Sequence, residues 1–281
     1  MIHIEFIGIS GAGKSLLRRR LNHQLDALGI RHYHIEQVRQ QAYANWSSLG
    51  TFAVIKNWLR APLSSWNDYH RRKHQCLPDR FSAWQQFMDT YPEMAAHLAM
   101  GFAAARGAPS SIRVGYTILL HLCSHFQAAR HAFGEHDALL LDEGFFHQQV
   151  ELATLSDSPT ARELLMESLR AGPTPNLLIW VDVPAELADR RKSMPIFRAR
   201  TMRDLTHRDR LTMLDKWSSY ISTTISQLDE QVNIIHIQND GELLDVDDRL
   251  KAVASFVSRY VRDNGTSEVC HATPKPTVSM R

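Results

Sequence analysis

Apolar and polar residues alternate from the start of the chain. Ile2, Ile4 and Phe6 are apolar and Ile7 extends the run, a period of two that predicts a β-strand over 2–7. The period then changes. Leu16, Leu17, Leu21, Leu25 and Leu28 recur at helical spacing, so 15–28 is predicted as a helix with Gly29 as its stop. Residues 31–35, RHYHI, read as a second strand. Strand, loop, helix and strand make a βαβ unit, which is biased to a right-handed crossover and a parallel sheet.

From 37 to 132 strand signal is weak. Helices are expected over 37–47, 51–59, 80–101 and 111–132, with breaks at Pro62, Pro78 and the GAPS sequence of 107–110. The last of these helices is mostly apolar and is expected to pack on the sheet. Residues 137–141, DALLL, and 177–183, LLIWVDV, read as buried parallel strands, and 232–237, VNIIHI, as a fifth. Helices are expected around 145–155, 159–170, from Pro184 onward, over 206–230 and over 245–261. The expected architecture is an α/β domain over 1–262 with helices on both faces of a five-stranded sheet. The aperiodic residues 263–281 are expected to be a disordered tail. Sites in such sheets lie at the C-terminal ends of strands. The glycine-rich loop after the first strand, Glu36, Asp142 and Val183–Pro184 all fall there.

The 281 residues, 44% of them hydrophobic, suffice for one substantial core. The net charge of +2 gives no general nucleic-acid signal, and nucleic acid is not the expected partner. The charge is instead local. Arg190, Arg191, Lys192, Arg198, Arg200, Arg203, Arg208 and Arg210 face only Asp204 and Asp209 within 190–210. Three cysteines at wide spacing imply neither a disulfide framework nor a cysteine zinc site. No apolar run reaches membrane-spanning length, and no leader precedes the loop, so a cytoplasmic protein is expected. A homodimer stays open.

Gly8-Ile9-Ser10-Gly11-Ala12-Gly13-Lys14-Ser15 fits GxxxxGK[ST], the pattern of a P-loop. Small residues let backbone N–H groups close on phosphate, and the following helix offers its positive end. Gly8, Ser10, Gly11, Ala12, Gly13, Lys14, Ser15 and Leu16 are therefore expected to wrap the phosphates of ATP. Lys14 is expected to reach the β- and γ-phosphates, and Ser15 to offer its hydroxyl to Mg²⁺.

Asp142 ends the DALLL strand, where a Walker-B aspartate would hold Mg²⁺ directly or through water; the alternative is a helix cap. Glu143 follows and would polarise a water, accept a substrate proton or orient an arginine. Glu36, after the second strand, is a candidate base, or else a solvent-exposed residue at a helix start. The basic stretch 190–205, interrupted by MPIF at 194–197, is a candidate lid whose arginines would clamp transferring phosphate; the alternative is a solvated basic face.

FIGISGAGKS, LLLDEGFF, LLIWVDVPAELADRR and the arginines up to Arg203 together resemble the P-loop kinases of the thymidylate kinase and deoxynucleoside kinase type. The resemblance covers about 1–35 and 136–260. It implies a three-layer α/β/α P-loop NTPase fold with strand order 2-3-1-4-5, a helical substrate region over 37–132 and a basic lid. It also implies P-loop roles for Lys14 and Ser15, a metal role for Asp142, and a proton-accepting role for Glu36. Arg190 and Arg198 fall in the lid, and Asn239 borders the adenine. The chain departs from the family at Asp142-Glu143-Gly144, where an arginine would follow the acid.

The function expected is transfer of the γ-phosphoryl of Mg-ATP to a small-molecule acceptor, a nucleoside or nucleotide being one class. The alternative is an ATPase or switch acting on a protein or nucleic acid, which Glu143 favours as an activator of water.

Overall fold

The computed structural model describes residues 1–35, 37–38, 80–105, 110–192, 205–228, 232–240 and 243–265. Five strands form one sheet: β1 (Ile2–Ile7), β2 (His32–His34), β3 (Ala138–Leu141), β4 (Leu177–Asp182) and β5 (Asn233–Gln238). Their order is β2-β3-β1-β4-β5 and every pairing is parallel. The described helices are α1 (Lys14–Ala27), α2 (Arg80–Thr90), α3 (Pro92–Ala104), α4 (Ser110–Ala132), α5 (Phe145–Leu155), α6 (Pro159–Arg170), α7 (Ala185–Lys192), α8 (His207–Ser226) and α9 (Leu243–Gly265). They cover both faces, which makes three layers, α/β/α.

The strand pleat divides the core. Ile2, Ile4 and Phe6 join Leu17, Leu21 and Leu25 of α1 and Val253 and Val257 of α9 in one apolar cluster. Leu139 and Leu141 of β3 join Phe87, Leu119, Cys123 and Phe126 of α2 and α4 in a second. Fully burying each α1 leucine contributes about 1.5–3 kcal/mol, which holds the helix after the P-loop onto the sheet.

In β1, predicted as a strand, His3 and Glu5 are buried as well as the apolar residues. Parallel strands are covered on both sides, and here the second face takes polar residues that pair with each other. The helix expected over 80–101 is two helices. Pro92 lacks a backbone N–H and its ring crowds the preceding turn, so α2 ends at Thr90 and α3 starts afresh at Pro92. The last helix runs to Gly265, into the stretch expected to be a tail. Of the helix expected over 37–47 only 37–38 is described. The helix over 51–59 and the rest of the tail lie outside the described residues, as does 193–204 of the candidate lid.

Candidate functional site

The loop after β1 turns sharply at Gly11 and Gly13, with φ of 97° and 93°. A side chain at either would be strained, and a Cβ would meet the Ala188 carbonyl from Gly11 or the Asn239 amide from Gly13. Gly13 also occupies the N-cap of α1 and supplies no capping side chain. The first-turn amides have no intrahelical acceptor. Backbone donors and the positive helix end therefore face the mouth of the loop. Lys14 is only 7% exposed. Its Nζ donates to the carbonyls of Gly8, at 2.8 Å, and Ile9, at 3.2 Å, so the ammonium sits within the loop. Ser15 and Leu16 are exposed.

Asn239, immediately after β5, braces this loop. Its Nδ2 donates to the Ala12 carbonyl at 2.6 Å and its backbone N–H to the Asp182 carbonyl at 2.8 Å. Its own carbonyl accepts from Arg191 at 2.9 Å. The side chain thus holds loop backbone. Burial lowers the pKa of Arg191 against the opposing pull of Asp240.

On the other side of β1, Asp142 stands at the end of β3. Arg18, one turn beyond Lys14 on α1, brings its Nε to 3.3 Å from Asp142 Oδ2. His34, at the end of β2, lies within reach of both charges. Burial first, then the Arg18 guanidinium, push its pKa down to about 4, with Asp142 opposing and His32 adding to the fall. His34 is therefore neutral at pH 7. Glu143 is exposed.

The geometry behind Asp142 rests on Glu5. Its buried carboxylate accepts the N–H groups of Phe145 and Phe146, each at 2.9 Å, while His3 Nε2 lies 2.9 Å from Oε1. A carboxylate under the first turn of α5 satisfies two of its orphan donors and complements its dipole. Gly144 leaves room for that carboxylate, since a Cβ there would run into it. The Asp142-Glu143-Gly144 run thus ends in a packing requirement.

Of the candidate arginines, Arg190 is exposed and its Nε donates to the Glu186 carbonyl at 3.4 Å. Arg210 makes a two-pronged pair with the buried carboxylate of Asp189, at 2.6 and 3.1 Å, and His207 Nδ1 lies 2.9 Å from the same group. These contacts hold the Asp189 pKa below its ordinary value, the Arg210 hydrogen bond contributing most and burial opposing. They tie α7 to α8 across the undescribed segment. Glu36 and Arg198 lie outside the described residues.

The structure thus brings Lys14, Asp142 and Asn239 to one rim, and places Arg190 on the surface of α7. Arg18 and Glu5 carry no site motif in the sequence, and Arg191 stands out only as one of the basic residues of 190–210. Arg18 has only its i, i+4 spacing from Lys14, and Glu5 shows only as a charge in a buried strand.

Ser15 and Asp142 offer a hydroxyl and a carboxylate, hard oxygen donors that suit Mg²⁺, which takes few protein ligands beside phosphate and water. Among the described residues no group of three or more His, Cys, Asp or Glu side chains is placed to hold a metal, and no helix is long and apolar enough to cross a membrane.

No family model matches the chain, and no curated protein sequence matches it. Among solved structures, the deoxyadenosine kinase of M. mycoides, with products dCMP and a flexible dCDP bound, aligns with 92% of this chain and 99% of its own. The TM-score is 0.45 and the identity 9%.

Proposed function

We propose that the chain is an ATP-dependent phosphotransferase that moves the γ-phosphoryl group to a small-molecule acceptor. The observation that carries this reading is the ion pair at the ends of β1 and β3: Arg18, one turn beyond Lys14 on α1, meets the strand-end carboxylate of Asp142. The connections after these strands leave in opposite directions, which is where open α/β sheets bind ligands.

In this reading the loop amides and Lys14 hold the β- and γ-phosphates and oppose the charge that develops on the transferring group. The Ala12 carbonyl, pinned by Asn239, keeps the cradle in shape. Ser15 and Asp142 are the residues that would hold Mg²⁺, which neutralises phosphate charge when bound. The γ-phosphorus bond to the ADP oxygen breaks as a bond to the acceptor oxygen forms. Where the acceptor is a hydroxyl, its proton goes to Glu36 or Glu143. Arg190 and Arg198 are assigned to clamping phosphate from 190–205, and Asn239 to the adenine side of the site. Residues 1–262 act as the catalytic domain, with 37–132 as the acceptor region.

A second reading has one observation in its favour. Glu143 is exposed directly after Asp142, where a carboxylate can activate water for ATP hydrolysis. ADP release from Mg-ATP, measured with nucleosides, nucleotides, sugars and antibiotics, separates the two. Stimulation by one small molecule is the expected result, with a loss of about 100-fold or more in Lys14→Ala. Release indifferent to every small molecule and slowed in Glu143→Gln supports hydrolysis. Unchanged release in Lys14→Ala removes the P-loop assignment.

A further inference from the structure

Arg18 stands on α1 against the strand-end acid Asp142. Lys14 and Arg18 are four residues apart on α1 and share one face of it. Side chains on a helix lean toward its N-terminus, so Arg18 reaches back toward the rim that holds the P-loop. Its side chain is only 14% exposed, and that of Asp142 is 22% exposed. The contact between them is an ion pair without a hydrogen bond, because the Arg18 Nε has no hydrogen-bond partner. A guanidinium carries five donors in a planar fork, and among the described residues Asp142 is the one acid that engages it.

The two sides of the loop also differ. Toward β4 and β5 the loop is packed against Ala188 and Asn239, with Arg191 behind. Toward β3 and β2 stand Arg18, Asp142 and His34. An ATP molecule held by the loop leaves this second side for the group that receives the phosphoryl. If Asp142 is drawn to the metal, the Arg18 charge loses its counterion there.

We propose that Arg18 binds an anionic oxygen group of the acceptor, a phosphate monoester or a carboxylate, so that the acceptor is an anion. The inference rests on the phosphotransferase reading and specifies its substrate class. A planar fork takes either group through paired N–H···O bonds.

The test measures ADP release with Mg-ATP and matched pairs: nucleosides against their monophosphates, sugars against their phosphates, and sugars against their acids. Wild type, Arg18→Met and Arg18→Lys are compared. Stimulation is expected from the anionic member of a pair, and the phosphate and acid arms tell the two groups apart. Arg18→Met is expected to raise the acceptor KM about 10-fold or more, the value of a charged hydrogen bond, with the ATP KM within about twofold. Arg18→Lys keeps the charge and loses the fork, so it recovers part of that loss; its KM decides the matter if Arg18→Met does not fold. A neutral acceptor used equally by all three proteins overturns the role of Arg18 and leaves the phosphotransferase standing. So does a rise in the ATP KM with the acceptor KM unchanged. Release indifferent to every acceptor overturns the phosphotransferase reading, and this inference with it.

Discussion

His34 shows how one side chain at this rim responds to its surroundings. Its folded pKa of about 4 lies below the ordinary 6.5, chiefly because burial penalises the charged ring. Between these values the unfolded chain binds a proton that the folded chain does not, so the folded state loses stability as pH falls. The contribution is whole above pH 6.5 and declines toward pH 4. Urea midpoints measured from pH 7.5 to 4.5 should therefore fall less steeply for His34→Gln than for wild type. Parallel curves would show that His34 is not held neutral. Lys14, also buried, meets burial differently: its Nζ donates to two backbone carbonyls within the loop.

At the scale of the element, α5 depends on a distant residue. Its first two amides end on Glu5, a strand residue 140 positions earlier for Phe145. Gly144 has an ordinary φ of −81°, so its role is clearance and not backbone freedom. Gly144→Ala should cost about 1–3 kcal/mol, as overpacking a tight site does. The reading is a lowered urea midpoint with unchanged slope. Adding Glu5→Ala removes the group that the methyl strikes, so the double variant should lose less than the two single losses together. Additive losses would separate Gly144 from Glu5. The ends of α6 and α8 are set more locally, by Ser158 and Thr206 accepting from amides three residues on.

Across the whole molecule, the strand order places β5 two strands from β1, yet the residue after β5 closes on the loop after β1. Asn239 is the brace. Asn239→Ala loses one hydrogen bond and should weaken ATP binding by about 2–10-fold. Asn239→Asp faces a carboxylate against the Ala12 carbonyl and should weaken it further, although it is closer in shape. Titration calorimetry with ATP and the three proteins checks the ranking, and an Asp variant binding like wild type would discard the brace.

The sequence by itself determined the strands, most limits of the described helices and the glycine-rich turn before α1, because each depends on near neighbours: periods of two and 3.6, a proline or glycine stop, and a motif of eight consecutive residues. Lys14 and Asp142 were legible for the same reason, each standing at a junction that its own segment announces. The break at Pro92 is equally local, but it is a single proline inside an otherwise helical pattern. Tertiary structure alone decided the partners. Arg18 on Asp142, Glu5 beneath α5, Asn239 on Ala12 and Arg191 behind Asn239 join residues 48 to 227 positions apart, which no local pattern links. Such pairs arise where a parallel sheet brings the ends of distant strands to one rim, and buried charges and donors there take whichever partner the packing places within reach.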